Sequence, residues 1–328
     1  MRRTIYLYLA ATIAALANGC GGREYEATEK KVELLPAPVF NADTAFAFVE
    51  RQVAFGPRVP GSDAHRACGD WLVAQLKAAG ATVTEQTGTV PHMDGKELPM
   101  RNIIGAFNPS ANKRILLCAH WDTRPWADQD STAKEQAIDG ANDGGSGTAV
   151  LLEVARHLGQ RQPAVGVDIV LFDVEDQGRP EFDPDTLDPE HHFCLGSRYW
   201  AADPHVPGYR AQYGILLDMV GATGAVYTME GVSQASAPAV LKHVWDVASA
   251  LGLSERFSYR KTRPIIDDHT YINQLAQIPT IDIIEYDATT PTSFNRHWHT
   301  HRDDIGIIDC SSLRAVGQTV VQVVYNER

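Results

Sequence analysis

The chain has 328 residues, 44% of them hydrophobic, which is enough to bury the core of one large α/β domain or two small ones. Its formal net charge is −12, with the acids spread along the chain, and that balance argues against nucleic acid as a partner. Internal repeats and low-complexity tracts are absent, and no segment after the first twenty residues is long and apolar enough to span a bilayer.

The N-terminus reads as a separate object. Arg2-Arg3 form a positive start, Ile5 to Leu16 a short apolar stretch, and Ala17-Asn18-Gly19-Cys20 precede Gly21-Gly22 and a charged run from Arg23 to Glu33. This order predicts an export signal over residues 1–20, too short for a stable transmembrane helix, followed by a polar tether over 21–36. The junction resembles the lipobox of bacterial lipoproteins, which implies acylation at Cys20 and a periplasmic or outer-membrane-associated protein held to the membrane only by that anchor. Ordinary cleavage near Ala17 or Gly19, leaving Cys20 as a free thiol, is the alternative. Residues 37–328 are expected to form one domain, acting as a monomer. Its cysteines, Cys68, Cys118, Cys194 and Cys310, have no CxxC spacing, so buried thiols are expected and a thiolate zinc site is not.

Within that domain, Asn41 and Ser62 are expected to cap helices over 42–55 and 64–79, the second terminated by Gly80. Strands are predicted at Thr82–Gln86, Asn102–Phe107, Arg114–Ala119, Asp168–Asp173, Gly214–Leu217, Ala225–Met229 and Thr280–Ile284. Further helices are predicted at Ser146–Leu158, Ala237–Leu251, Asp268–Leu275 and Ser311–Tyr325. Runs such as Ile115-Leu116-Leu117 and Ile169-Val170-Leu171-Phe172 are apolar throughout, as a strand covered on both faces requires. The expected fold is therefore a three-layer α/β/α sandwich around a mixed, largely parallel sheet.

In open α/β sheets the site lies beyond the carboxyl ends of the strands. After the apolar strands come His120-Trp121-Asp122, then Asp173-Val174-Glu175-Asp176, then Asp218, and later His297-Trp298-His299-Thr300. A Gly-rich segment from Asp139 to Gly147, carrying Asp143, sits between the first two strands; it lacks both a Walker motif and GxGxxG spacing. Taken singly, each Asp is a turn former or helix cap and each His a surface or core residue. Together they place two imidazoles and several carboxylates at adjacent strand ends, a donor set suited to zinc. Without a cation such carboxylates repel one another.

This pattern over residues 40–328 resembles the zinc aminopeptidase clan with co-catalytic metal sites. The resemblance implies the ligand set His120, Asp143, Asp176, Asp218 and His299, with Glu175 as general base and Asp122 orienting His120. Trp298 before the late His, Phe294 five residues ahead of it, Asp267-Asp268-His269 and the stretch His120-Trp-Asp-Thr-Arg-Pro are similar to the animal-type glutaminyl cyclases and their bacterial relatives. The chain departs from the animal proteins in having Asp176 where they carry a second Glu. Within this group the resemblance implies one Zn2+ held by Asp143, Asp176 and His299. It leaves His120 unmetallated, joins Asp218 and Asp267 to Glu175 in a proton network, and lines a glutamine pocket with Trp298 and Phe294. The activity it implies is cyclisation of N-terminal glutamine of peptides or proteins to pyroglutamate. A two-zinc secreted aminopeptidase and a non-catalytic binding module are the alternatives. Segments 123–138 and 177–193 are expected to rim the pocket, the second with a calcium site as an alternative.

Overall fold

A computed structural model describes residues 32–183 and 192–328. The expected export signal, Cys20 and most of the expected tether lie outside the described residues, as does the centre of the acid-rich segment 177–193. Asn41 caps α1 (Ala42–Val53) by accepting from Thr44 N, and Ser62 caps α2 (Asp63–Ala78) by accepting from His65 N, as their side-chain chemistry predicts. A long hairpin follows, β1 (Thr82–Pro91) and β2 (Glu97–Phe107), then β3 (Arg114–His120), α3 (Gly145–Gln160) and β4 (Gly166–Phe172). The chain continues through α4 (Leu195–Ala202), β5 (Gly214–Asp218), β6 (Tyr227–Met229), α5 (Gly231–Ser236), α6 (Pro238–Ala250) and β7 (Phe257–Lys261). It ends with α7 (Asp268–Tyr271), β8 (Thr280–Ile284) and α8 (Cys310–Asn326).

The main sheet runs β1-β2-β4-β3-β5-β8. β4, β3, β5 and β8 are mutually parallel, and β2 joins β4 antiparallel. β3 is the switch point: the chain leaves it first towards β4 and later towards β5, which opens a crevice at the carboxyl ends. All seven residues of β4 and all five of β5 and β8 are buried, as uninterrupted apolar runs require. One face is covered by α1, α3 and α8, whose packing builds a core around Leu117, Val150, Ile169 and Val320. The other face packs Phe172, Leu216 and Trp200 against Ile272 and Ile278. This is the three-layer sandwich.

Several boundaries differ from expectation. The predicted strand Ala225–Met229 starts at Tyr227 and pairs with β7 in a separate two-stranded ribbon, outside the main sheet. The helix expected at Asp268–Leu275 is one α-turn followed by a π-turn over Ile272–Ala276, ended by Gln277 in the left-handed region. α4 and β7 had no clean periodicity to betray them. The four described cysteines are free thiols, with Cys68, Cys118 and Cys194 buried. Among the described residues no helix is long and apolar enough to cross a membrane.

Candidate active site

At the carboxyl ends of β3, β4, β5 and β8 lies a cavity of about 180 Å³. Its polar lining is Asp143, Glu175, Asp176, Asp218, Asp267 and His299, and its apolar walls include Phe193, Met219, Ile265, Ile284, Phe294 and Trp298. Apart from His120 and Asp122, every residue expected to be catalytic, metal-binding or pocket-forming lines it. His120 and Asp122 are the two that stay beneath the cavity, almost fully buried.

Strand geometry places the residues. His120 ends β3 and Asp218 ends β5. Asp143 comes from the Gly-rich loop, which can lie so close because of its glycines. Gly144 has φ +81, and a Cβ on Gly147 would sit 2.2 Å from Leu217 O. Asp303 fixes that loop by accepting from Asn142 N at 2.8 Å and Asp143 N at 3.0 Å. Burial, then the neighbouring Asp143 charge, pushes the Asp303 carboxyl up to about 8. Four residues around the cavity hold left-handed backbone without being glycine: Val174, Cys194, Met219 and His299. Such conformations cost on the order of 1–3 kcal/mol each and persist only where surrounding structure enforces them.

Two overlapping donor groups share Asp143. Asp143, Asp176 and His299 bring ligand atoms within 4.8 Å of one another, and so do His120, Asp143 and Asp218. His299 Nε2 lies 3.3 Å from Asp176 Oδ1 and 3.5 Å from Asp143 Oδ2. The remaining Asp176 oxygen, Oδ2, is buried without a hydrogen-bond partner, as a carboxylate oxygen reserved for a cation would be. His120 Nε2 is 3.0 Å from Asp143 Oδ1 and 3.2 Å from Asp218 Oδ1. Burial disfavours the charged His120 ring, but Asp122, Asp143 and Asp218 outweigh that and hold its pKa well above the usual value. Glu175 is pushed well above the carboxylate range by burial and, beyond that, by Asp176, Asp267 and Asp268, against the pull of His120.

Sequence reasoning gave Asp122 one role, and the structure gives it a larger one. Its carboxylate stands 3.5 Å from His120 Nδ1, while it accepts from the backbone N–H groups of Glu175 (3.1 Å) and Asp176 (3.2 Å) and from Gln177 Nε2 (3.1 Å). It therefore pins the turn that carries both acids.

Other functional residues were missed. Arg124 and Asp128, from the segment expected at the rim, lie buried under the site. Arg124 binds Asp128 at 2.8 and 2.6 Å and Asp176 Oδ1 at 3.0 Å, and Asp128 Oδ1 sits 3.2 Å from His299 Nδ1. Their i, i+4 spacing directly after a strand end was the available signal. Asp282, an acid inside the apolar β8, is fully buried with neither oxygen hydrogen-bonded to a defined donor. From the second rim segment, Phe193 lines the cavity.

Residues 102–324 match the profile of peptidase family M28. The chain belongs to that family. A solved structure similar to it is Bacteroides thetaiotaomicron glutaminyl cyclase bound to N-acetylhistamine, 48% identical with a TM-score of 0.87, covering 89% of this chain and 100% of that one. A leucine aminopeptidase precursor from the same organism is 47% identical, with a TM-score of 0.87 and coverage of 90% and 100%. The glutaminyl-peptide cyclotransferase of Gloydius blomhoffii is 26% identical over 279 residues, 75% of this chain and 71% of that protein. The pocket walls decide among reactions.

Proposed function

We propose that the protein is a zinc-dependent glutaminyl-peptide cyclotransferase, converting N-terminal glutamine of peptides or proteins to pyroglutamate with release of ammonia. The observation that carries this reading is the cavity itself. At about 180 Å³ it is smaller than the roughly 300–1,000 Å³ of sites for drug-sized ligands. The Trp298 ring stacks on the His299 ring with centroids 3.6 Å apart, and Phe294 backs Trp298 at 4.9 Å. Those rings, with Met219, Ile265 and Ile284, form a small apolar cluster over an acidic floor, suited to one short amide side chain.

Asp143, Asp176 and His299 would hold the zinc, an oxygen and nitrogen donor set appropriate to it. The chemistry a zinc ion supplies when bound there is polarisation of the γ-carbonyl and compensation of the charge developing on its oxygen. The walls hold the substrate folded, so that its α-amine attacks its own γ-carbonyl in a well-oriented intramolecular step. Glu175 takes a proton from the amine as the new C–N bond forms and delivers it to the departing nitrogen, which leaves as ammonia. Asp267, with an oxygen within 4.8 Å of Glu175, and Asp218 both face the cavity, and in this proposal they share the proton network with Glu175. The proposal extends to an exported, lipid-anchored form with one zinc per chain.

The rival is a two-zinc aminopeptidase, favoured by the second donor group around His120. One assay separates them. Incubated with a peptide bearing N-terminal glutamine, the purified protein should yield the pyroglutamyl peptide and ammonia at equal rates, with every peptide bond intact. Free amino acid from Leu- or Ala-terminated peptides, without cyclisation of glutamine, would overturn the proposal.

A further inference from the structure

We propose that Cys194 is a positioning residue for the reaction, its thiol donating a hydrogen bond that fixes the Glu175 carboxylate in its proton-transfer orientation. Cys194 Sγ lies 3.2 Å from Glu175 Oε1. Glu175, Cys194 and Asp267 together bring one atom each within 4.8 Å of one another. The thiol is 1% exposed, so no bulk water competes for the carboxylate on that side. Burial, reinforced by the Glu175, Asp268 and Asp267 carboxylates, raises the thiol pKa well above its usual value and keeps the sulfur protonated as a donor.

The backbone makes this contact directional. Cys194 N donates to Glu175 O at 2.8 Å and Leu195 N to Val174 O at 3.0 Å, so the two segments are tied on either side of the side-chain contact. Cys194 itself sits at φ 57, ψ 30 ahead of α4. The helix start cannot slide, because Gly196 is pressed so closely on the residue after β4 that a Cβ there would be 2.0 Å from Asp173 O. A left-handed non-glycine residue locked against a strand end costs stability. Here it aims the sulfur at the carboxylate. An S–H group is a weak donor, which holds the carboxylate without satisfying it as a strong donor would.

The inference rests on Glu175 carrying the proton in cyclisation. Wild-type turnover of N-terminal glutamine is therefore measured first, and an inactive wild type counts against the function rather than against this role. Cys194→Ala and Cys194→Gly remove the donor, the second also suiting the left-handed backbone and guarding against a folding failure. Both should lower kcat about ten- to a hundredfold while KM and zinc content stay unchanged. Cys194→Ser, which keeps a donor, should restore kcat to within about threefold of wild type. Wild-type kcat in the Ala and Gly variants would overturn the proposal. So would a Ser variant as impaired as they are, or a loss confined to KM or to zinc content.

Discussion

Arg124 Nη1 stands 3.0 Å from Asp176 Oδ1 with both side chains buried. The guanidinium thus occupies one oxygen of a carboxylate whose other oxygen has no partner. It also holds Asp128 through two short contacts, and Asp128 in turn faces His299 Nδ1. One buried cation therefore orients two of the three proposed ligands. Partners of this kind typically contribute 10–100-fold to metal affinity. Asp128→Asn should weaken zinc binding by about that factor in a chelator competition, with kcat largely retained at saturating zinc. Arg124→Gln should be worse, lowering stability by roughly 3–5 kcal/mol because Asp128 and Asp176 lose their shared counter-charge. Zinc affinity unchanged in Asp128→Asn would show that Asp128 does not orient the ligand.

Glu175 and Asp176 are adjacent in sequence but separable in role. Glu175→Gln keeps the shape of the side chain and removes its ability to accept a proton. It should retain zinc and thermal stability and lose at least about a hundredfold in kcat. Asp176→Ala should release the metal on dialysis. A Glu175→Gln variant with most of its turnover would mean the proton passes elsewhere.

These acids were legible in the sequence because each follows an apolar run that only a doubly covered strand can form. β3, β4, β5 and β8 were foreseeable for the same reason, and the carboxyl-end rule then placed His120, Glu175, Asp176 and Asp218 together. What escaped were residues whose role depends on tertiary approach. Arg124 and Asp128 sit in a polar segment that reads as surface, and burial of their pair follows only from how the loop folds under His299. Cys194 gives no signal, since a cysteine between Phe193 and Leu195 reads as core. The β6–β7 ribbon was not foreseen, because Tyr227–Met229 has the composition of a strand and composition does not name its partner. Asp282 could have been noticed, as an acid between Ile281 and Ile283 has no place in an apolar strand without a neighbour to share its charge or proton.

The proposed count of one zinc per chain turns on His120. Its Nε2 lies 3.0 Å from Asp143 Oδ1 and 3.2 Å from Asp218 Oδ1, and the ring lies below the cavity rather than on its wall, away from where the substrate carbonyl would sit. Dialysed protein should retain one zinc per chain by elemental analysis, and His120→Asn should retain it too. Two zincs at full occupancy, with one lost in His120→Asn, would favour the aminopeptidase reading.

Glu285 links stability to pH at the root of the loop that carries Trp298 and His299. It follows β8, and both its oxygens lie 3.2 Å from Asn295 Nδ2. Asn295 O in turn accepts from Trp298 N at 2.9 Å. Burial, aided by Asp287 and opposed by the Asn295 hydrogen bond, pushes the Glu285 carboxyl from 4.5 up to about 7. The native state therefore holds this proton more tightly than the unfolded chain does. Its contribution to stability is complete below about 4.5 and is lost as pH rises through about 7. Glu285→Gln keeps an acceptor for Asn295 and removes the titration. The variant should match wild-type thermal stability near pH 5 and exceed it by a few degrees near pH 8, a difference on the order of 1–3 kcal/mol. Melting curves of the two proteins across that range decide the point. If they run parallel at every pH, the Glu285 carboxyl is ionised in the native state throughout and the loop owes nothing to its proton.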